Sequence, residues 1–195
     1  MDIYLSILSG IAWTVVYLQI IRLALKDKFV GMPLFALALN FAWEGIYTYK
    51  GFISPNIHLQ TYINLVWFFA DIFIVYLYFK FTKINLYWSL LVFVTSIILQ
   101  LVFIFEFKNM APYYSAFLQN LLMSFLFIQM YFTFGLIGQD LIVAVAKWLG
   151  TLAPTILMGV FEGRFFIIVI GLLCSVFDII YIYLIAQKPH LNIRR

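Results

Sequence analysis

Apolar residues run through this chain in stretches of bilayer-crossing length, interrupted by short polar breaks. The stretches cover 3–25, 33–51, 59–79, 85–106, 112–137, 140–161 and 164–187. A crossing takes about 20 apolar residues, so each stretch predicts a membrane-spanning α-helix. The breaks are Lys26-Asp27-Lys28, Ser54-Pro55-Asn56, Lys80 to Asn85, Lys108-Asn109, Gly138-Gln139-Asp140 and Glu162-Gly163-Arg164, and none is long enough to be a linker. The pattern predicts an all-α integral membrane protein whose residues 1–195 form a single seven-helix transmembrane domain.

Composition agrees, with 66% hydrophobic, 21% aromatic and only 10% charged residues, against about 25% charged in soluble domains. The net charge of +4 resides in short juxtamembrane loops and follows the positive-inside bias, so no nucleic acid is implied. One side would hold Arg22, Lys26, Lys28, Lys80, Lys83, Lys188, Arg194 and Arg195, the other Lys50, Lys108 and Arg164. That imbalance predicts the N-terminus outside and the C-terminus cytoplasmic. Met1-Asp2-Ile3-Tyr4 leads straight into the first stretch without a basic opening or a cleavage site, so the first helix is expected to be retained. A multi-pass protein of a bacterial-type plasma membrane is expected. The single cysteine, Cys174, lies within a helix, which leaves no internal disulfide and no Cys/His metal cluster.

Ionisable side chains at mid-bilayer cost roughly 2.5–3.5 kcal/mol each on insertion scales, and there are four near that level: Glu44, Asp71, Lys147 and Asp178. At 1.5 Å per residue they lie about 16, 13, 12 and 13 Å from the cytoplasmic ends of their helices, at nearly one level. Each acid shares a helix face with polar or aromatic company: Asn40, Trp43, Glu44 and Tyr47; Asn64, Trp67 and Asp71; Cys174, Asp178 and Tyr181. Asn120 and Ser124 make a further polar stripe, with Gln100 on the fourth helix. Lys147 is expected to pair with Asp71 or Asp178. One lysine cannot neutralise three acids, so at least one carboxyl is expected to carry its proton at neutral pH, which would make it a donor in an apolar cavity. Trp88, Tyr87, Tyr113 and Tyr114 fall at span ends as interfacial belts, whereas Trp43 and Trp67 lie too deep for that.

The segments Asn40-Phe41-Ala42-Trp43-Glu44, Asn64 through Asp71 and Phe177-Asp178-Ile179-Ile180-Tyr181 resemble those of the integral-membrane terpene cyclases, small seven-helix enzymes of meroterpenoid and indole-diterpene biosynthesis. Gln119-Asn120 with Ser124 also fits. The resemblance implies cyclisation begun by protonating a terminal epoxide or alkene of a polyprenyl chain, with Glu44 and Asp178 as the catalytic acids and no metal or other cofactor. Asn40, Trp43, Tyr47, Asn64, Trp67, Asp71, Asn120, Lys147 and Tyr181 would surround the substrate, a hydrophobic prenylated small molecule presented from membrane lipid.

A second resemblance points to a different function. Tyr17-Leu18-Gln19-Ile20-Ile21-Arg22, Lys26, Gly31 and the helix through Asn40 and Trp43 are similar to the PQ-loop transporters, seven-helix proteins with a three-one-three parallel repeat, although Leu18 replaces the signature proline. An echo between Asp71 through Leu77 and Asp178 through Leu184 fits such a repeat. A retinal protein would need a lysine in the last helix, and there is none.

Overall fold

The computed structural model describes residues 2–82 and 85–187, so Lys83, Lys188, Arg194 and Arg195 of the charge count lie outside the described residues. These residues are helical in six runs without a strand, and one run holds two helices. In chain order the helices are α1 (Asp2–Asp27), α2 (Leu34–Phe52), α3 (Leu59–Phe81), α4 (Leu86–Phe107), α5 (Ala111–Phe134), α6 (Leu141–Pro154) and α7 (Phe165–Ala186). A 3-10 turn, Lys108–Met110, joins α4 to α5, and a π-helical segment, Thr155–Phe161, continues α6.

Local chemistry sets the boundaries. Asn85 caps α4 by accepting from the backbone N–H groups of Tyr87 and Trp88, and the Asp140 carboxylate caps α6 by accepting from Val143 N at 2.9 Å. Lys108 at φ 48° breaks the α4–α5 run. Gln100 and Gln119 flank that break and are hydrogen-bonded at 3.0 Å. A straight helix would hold them about 28 Å apart, so the chain reverses there. Pro154 has no N–H to offer the carbonyl four residues back, and beyond it the helix widens to i−5 bonds, as from Glu162 N to Leu157 O.

Five stretches are long and apolar enough to cross a membrane: Ile3–Asp27, Leu59–Phe81, Leu86–Phe134, Leu141–Phe161 and Phe165–Ala186. The third of them is the α4–α5 hairpin. Helix α2 is not among them, because Asn40, Glu44, Thr48 and Lys50 dilute its apolarity, and it buries most of these polar residues against its neighbours instead of facing lipid. The helices pack in a closed ring, α1–α3–α2–α4–α5–α7–α6 and back to α1, with α2 also touching α5 across it. Polar side chains such as Asn40, Gln100, Lys147 and Asp178 are buried, while Phe105, Tyr87 and many Leu and Ile face outward. This inversion is what a lipid solvent requires.

One end of the ring is closed by a core of Ile20, Leu23, Val30, Leu37, Leu77 and Met123. There the α1–α2 and α5–α6 loops interlock. Gly138 N donates to the Asp27 carboxylate at 3.0 Å, and Gln19 donates to the Asp140 carboxylate. Gly31 lies so close to Gly138 that a Cβ on it would sit 1.7 Å from the Gly138 carbonyl oxygen. The other end is open.

Candidate active site

A cavity of about 760 Å³ enters the open end between α1, α2, α3, α5 and the π segment of α6, within the ~300–1,000 Å³ usual for small-molecule sites. Its inner wall is aromatic and amide. Helix α1 contributes Trp13 and Tyr17, α2 contributes Asn40, Trp43, Glu44 and Tyr47, α3 contributes Asn64 and Trp67, and α5 contributes Gln119 and Asn120. Glu44 is the one acid among the described lining residues.

The helical spacing of α2 puts Asn40, Trp43, Glu44 and Tyr47 on one face, and the ring geometry turns that face inward. Trp43 is fixed by donating from Nε1 to Pro112 O at 3.1 Å and packs against Tyr47 with ring centroids 5.0 Å apart. Trp67 donates from Nε1 to Thr14 Oγ1 at 3.1 Å and stacks with Tyr17 at 6.1 Å. Gln60 orients Asn64 by donating to its Oδ1 at 2.7 Å.

Glu44 is 2% exposed and sits at the end of a hydrogen-bond chain that crosses four helices. Gln100 Nε2 on α4 donates to Gln119 Oε1 at 3.0 Å, and Gln119 Nε2 donates to Asn40 Oδ1 at 3.1 Å. Asn40 Nδ2 donates to the Tyr17 hydroxyl, which donates to Glu44 Oε1. Among the described residues Glu44 Oε2 has no hydrogen-bond partner. One carboxyl oxygen is therefore held while the other is buried and unpaired.

The four buried ionisable residues resolve into two groups. Lys147 Nζ contacts Asp178 Oδ1 at 2.6 Å, with both side chains out of solvent, and also donates to Ser124 Oγ at 2.6 Å. Ser124 in turn donates to the Asn120 carbonyl at 2.9 Å. Among the described residues Asp71 has no cation partner. It is fully buried, and among the described residues neither carboxyl oxygen has a hydrogen-bond partner.

The residues singled out from the sequence thus divide. Asn40, Trp43, Glu44, Tyr47, Asn64, Trp67 and Asn120 line the cavity, whereas Asp71, Lys147, Asp178 and Tyr181 do not. Tyr181 instead donates to Gln139 Oε1 at 2.8 Å and packs on Phe127 at 5.4 Å. Tyr17, named from the sequence only within the transporter-like segment and not as a site residue, binds both Asn40 and Glu44. The signal available was a helical grouping of Trp13, Thr14 and Tyr17 on α1, without any charge to draw attention to it.

Comparison with known proteins bears on this cavity. The chain is 42% identical over 79 residues to the Pyr4-family terpene cyclase mfmH of Annulohypoxylon moriforme, covering 40% of this chain and 31% of that protein. It is 41% identical over 68 residues to the terpene cyclase ascF of Acremonium egyptiacum, covering 35% of this chain and 24% of the relative. With the terpene cyclase cle7 of Aspergillus versicolor it shares 36% identity over 76 residues, 39% of this chain and 31% of that protein. The chain therefore spans less than a third of the length of each of these relatives. They are fungal, so the expectation of a bacterial-type plasma membrane finds no support in them. No solved structure gives a significant match. A profile for Pyr4-like transmembrane terpene cyclases matches residues 2–161, and this integral, multi-pass membrane protein belongs to that family.

Proposed function

We propose that this protein is a membrane-embedded terpene cyclase in which Glu44 protonates the terminal epoxide or alkene of a polyprenyl, meroterpenoid-type substrate. The observation that carries this reading is the cavity in which Glu44 is the one acidic side chain, with Oε2 unpartnered and aromatic rings on the walls around it. Among the described residues no cation pairs with Glu44, and Lys147 is engaged by Asp178. A buried carboxyl without a cation is far cheaper to keep as the neutral acid, which is the form a donor needs.

The step balances without a co-reactant. Glu44 Oε2–H gives its proton to the epoxide oxygen or terminal alkene carbon, internal alkenes close rings on the cation, and the last cation loses a proton to a base. Substrate and product are isomers. Trp43, Tyr47 and Trp67 present ring faces that stabilise a desolvated cation by ~2 kcal/mol or more, and the closed inner end keeps water from quenching it.

Asp178 takes a different part from Glu44 in this reading. It holds Lys147, which would otherwise be an uncompensated charge, and through Lys147 and Ser124 it supports the wall at Asn120. Seven crossings with the N-terminus outside and a three-one-three repeat complete the proposal. The repeat is supported by the packing order, in which α1–α3–α2 and α5–α7–α6 follow the same sequence with α4 between them.

The test is to express the protein in membranes and supply prenylated aromatic or indole compounds with and without a terminal epoxide. Mass spectrometry would then seek a product of unchanged mass. An isomer formed by the wild type and lost in Glu44→Gln and Asp178→Asn is the expected result. A broad panel left unconverted, while labelled solute equilibrates across vesicles that contain the protein, would replace the cyclase by a transporter.

A further inference from the structure

The two ends of the cavity differ in charge. Among the described lining residues, the one acid, Glu44, is buried in the inner region, while the basic side chains Lys50 and His58 are exposed at the mouth. Lys50 lies six residues beyond Glu44 on α2, about 9 Å farther out along the helix axis. Its ammonium stands over the Tyr47 ring, 5.9 Å from the centroid, and Tyr47 packs on Trp43 in the wall. This contact directs the charge over the cavity. The ion pairs among the described residues are Lys147 with Asp178 and Arg164 with Glu162, so Lys50 has no carboxylate partner there. Across the mouth, exposed His58 stands at the start of α3 and offers a ring N–H.

We infer that the mouth is a head-group subsite for an acidic substrate, whose carboxylate or acidic aromatic hydroxyl is held by Lys50 with help from His58 while its prenyl tail runs inward to Glu44. The direction of the tail rests on the cyclase reading; the subsite rests on the charges. An ammonium is a compact point charge that attracts an anion from any approach, and anchoring the head fixes how far the tail reaches. From Lys50 to Asn40 the α2 face spans about 15 Å, so a docked head group puts the chain terminus at a set depth beside the acid, which is orientation used as catalysis. The distribution also works against reversed entry. An anionic head pushed inward would leave the Lys50 ammonium and be desolvated against aromatic and amide walls, where the described lining offers no cation.

Equilibrium binding tests this without turnover. The probes are radiolabelled 4-farnesylbenzoic acid and its methyl ester, applied to the whole protein in zwitterionic lipid nanodiscs. Wild type is expected to hold the acid about tenfold more tightly than the ester, equivalent to ~1.4 kcal/mol. Lys50→Gln should bring the two within about twofold, Lys50→Arg should keep the preference, and His58→Gln should lower it in part. Lys108→Gln is the control, because it removes a charge from a neighbouring turn without touching the cavity lining. Equal binding of acid and ester by wild type would overturn the inference, as would equal losses in Lys50→Gln and Lys108→Gln. Displacement of the acid by added anionic lipid would overturn it too, by assigning the mouth to lipid phosphate. Acid preference through Lys50 with no isomer ever formed would sink the cyclase reading and leave the subsite standing. Isomer formation without acid preference would do the reverse.

Discussion

Tyr17 is the residue through which Glu44 is held in place, because it donates to one carboxyl oxygen and accepts from Asn40. Tyr17→Phe removes that hydroxyl, frees Glu44 to rotate and leaves the Asn40 amide short of an acceptor, at a cost of ~1–3 kcal/mol. Cyclisation should fall about tenfold or more while the protein still folds, read as product formation beside the melting temperature. Glu44→Gln keeps the shape and removes the proton, so turnover should drop ~10²–10⁴-fold, the range of general acid catalysis, with little change in stability. The Lys147–Asp178 pair should respond in the opposite manner. Lys147→Met leaves a buried carboxylate uncompensated and should cost ~3–5 kcal/mol, whereas Lys147→Met combined with Asp178→Leu should recover most of the lost thermal stability.

Helix α6 shows how one residue shapes a wall. Pro154 leaves the Gly150 carbonyl without its usual backbone donor, and Ser9 from α1 donates to that carbonyl instead at 2.8 Å. The widened π turn that follows brings Leu157 and Met158 to the cavity, a use of π segments common at functional sites. Ser9→Ala should therefore destabilise the wild type by ~1 kcal/mol but have little effect in a Pro154→Ala background, where the backbone N–H at 154 serves the same carbonyl. A double-mutant cycle on melting temperature measures that coupling. At the closed end, Gly31→Ala would drive a methyl into the Gly138 carbonyl. Backbone cannot step aside as a side chain can, so the expected outcome is loss of monodisperse protein after detergent extraction.

In the packing order α1–α3–α2 and α5–α7–α6 follow the same sequence, as the proposed repeat expects. Asp178 of α7 binds Lys147 of α6, whereas Asp71 of α3 and Glu44 of α2 are both buried without an ion-pair partner among the described residues. The α6–α7 contact thus carries a buried ion pair, and the α2–α3 contact two acids without a cation among the described residues. The open cavity belongs to the side with the acids. If α2 crosses as proposed, cysteines placed at Ser54 and Lys28, which flank it, should react with an impermeant thiol reagent from opposite faces of sealed vesicles. Reaction from one face would overturn the topology. Cys174 is buried and should give little background.

Most helix positions were legible in the chain, because length and apolarity set where a backbone can satisfy its own hydrogen bonds in lipid. The spans 85–106 and 59–79 fall within two residues of α4 and α3. So was the polar face of α2, since period 3.6 puts Asn40, Trp43, Glu44 and Tyr47 together within one helix. Periodicity describes a single helix and carries no information about which helix lies opposite. It left Lys147 free to pair with Asp71 or Asp178, gave Tyr17 no distinction from other aromatic residues, and set all four ionisable residues at one level as though they formed one site. Packing order divided them, giving Lys147 to Asp178, placing Tyr17 against Glu44 and leaving Asp71 behind the cavity wall. These choices rest on contacts between segments up to 141 residues apart, such as Ser9 with Gly150, and such contacts exist only once the ring has closed.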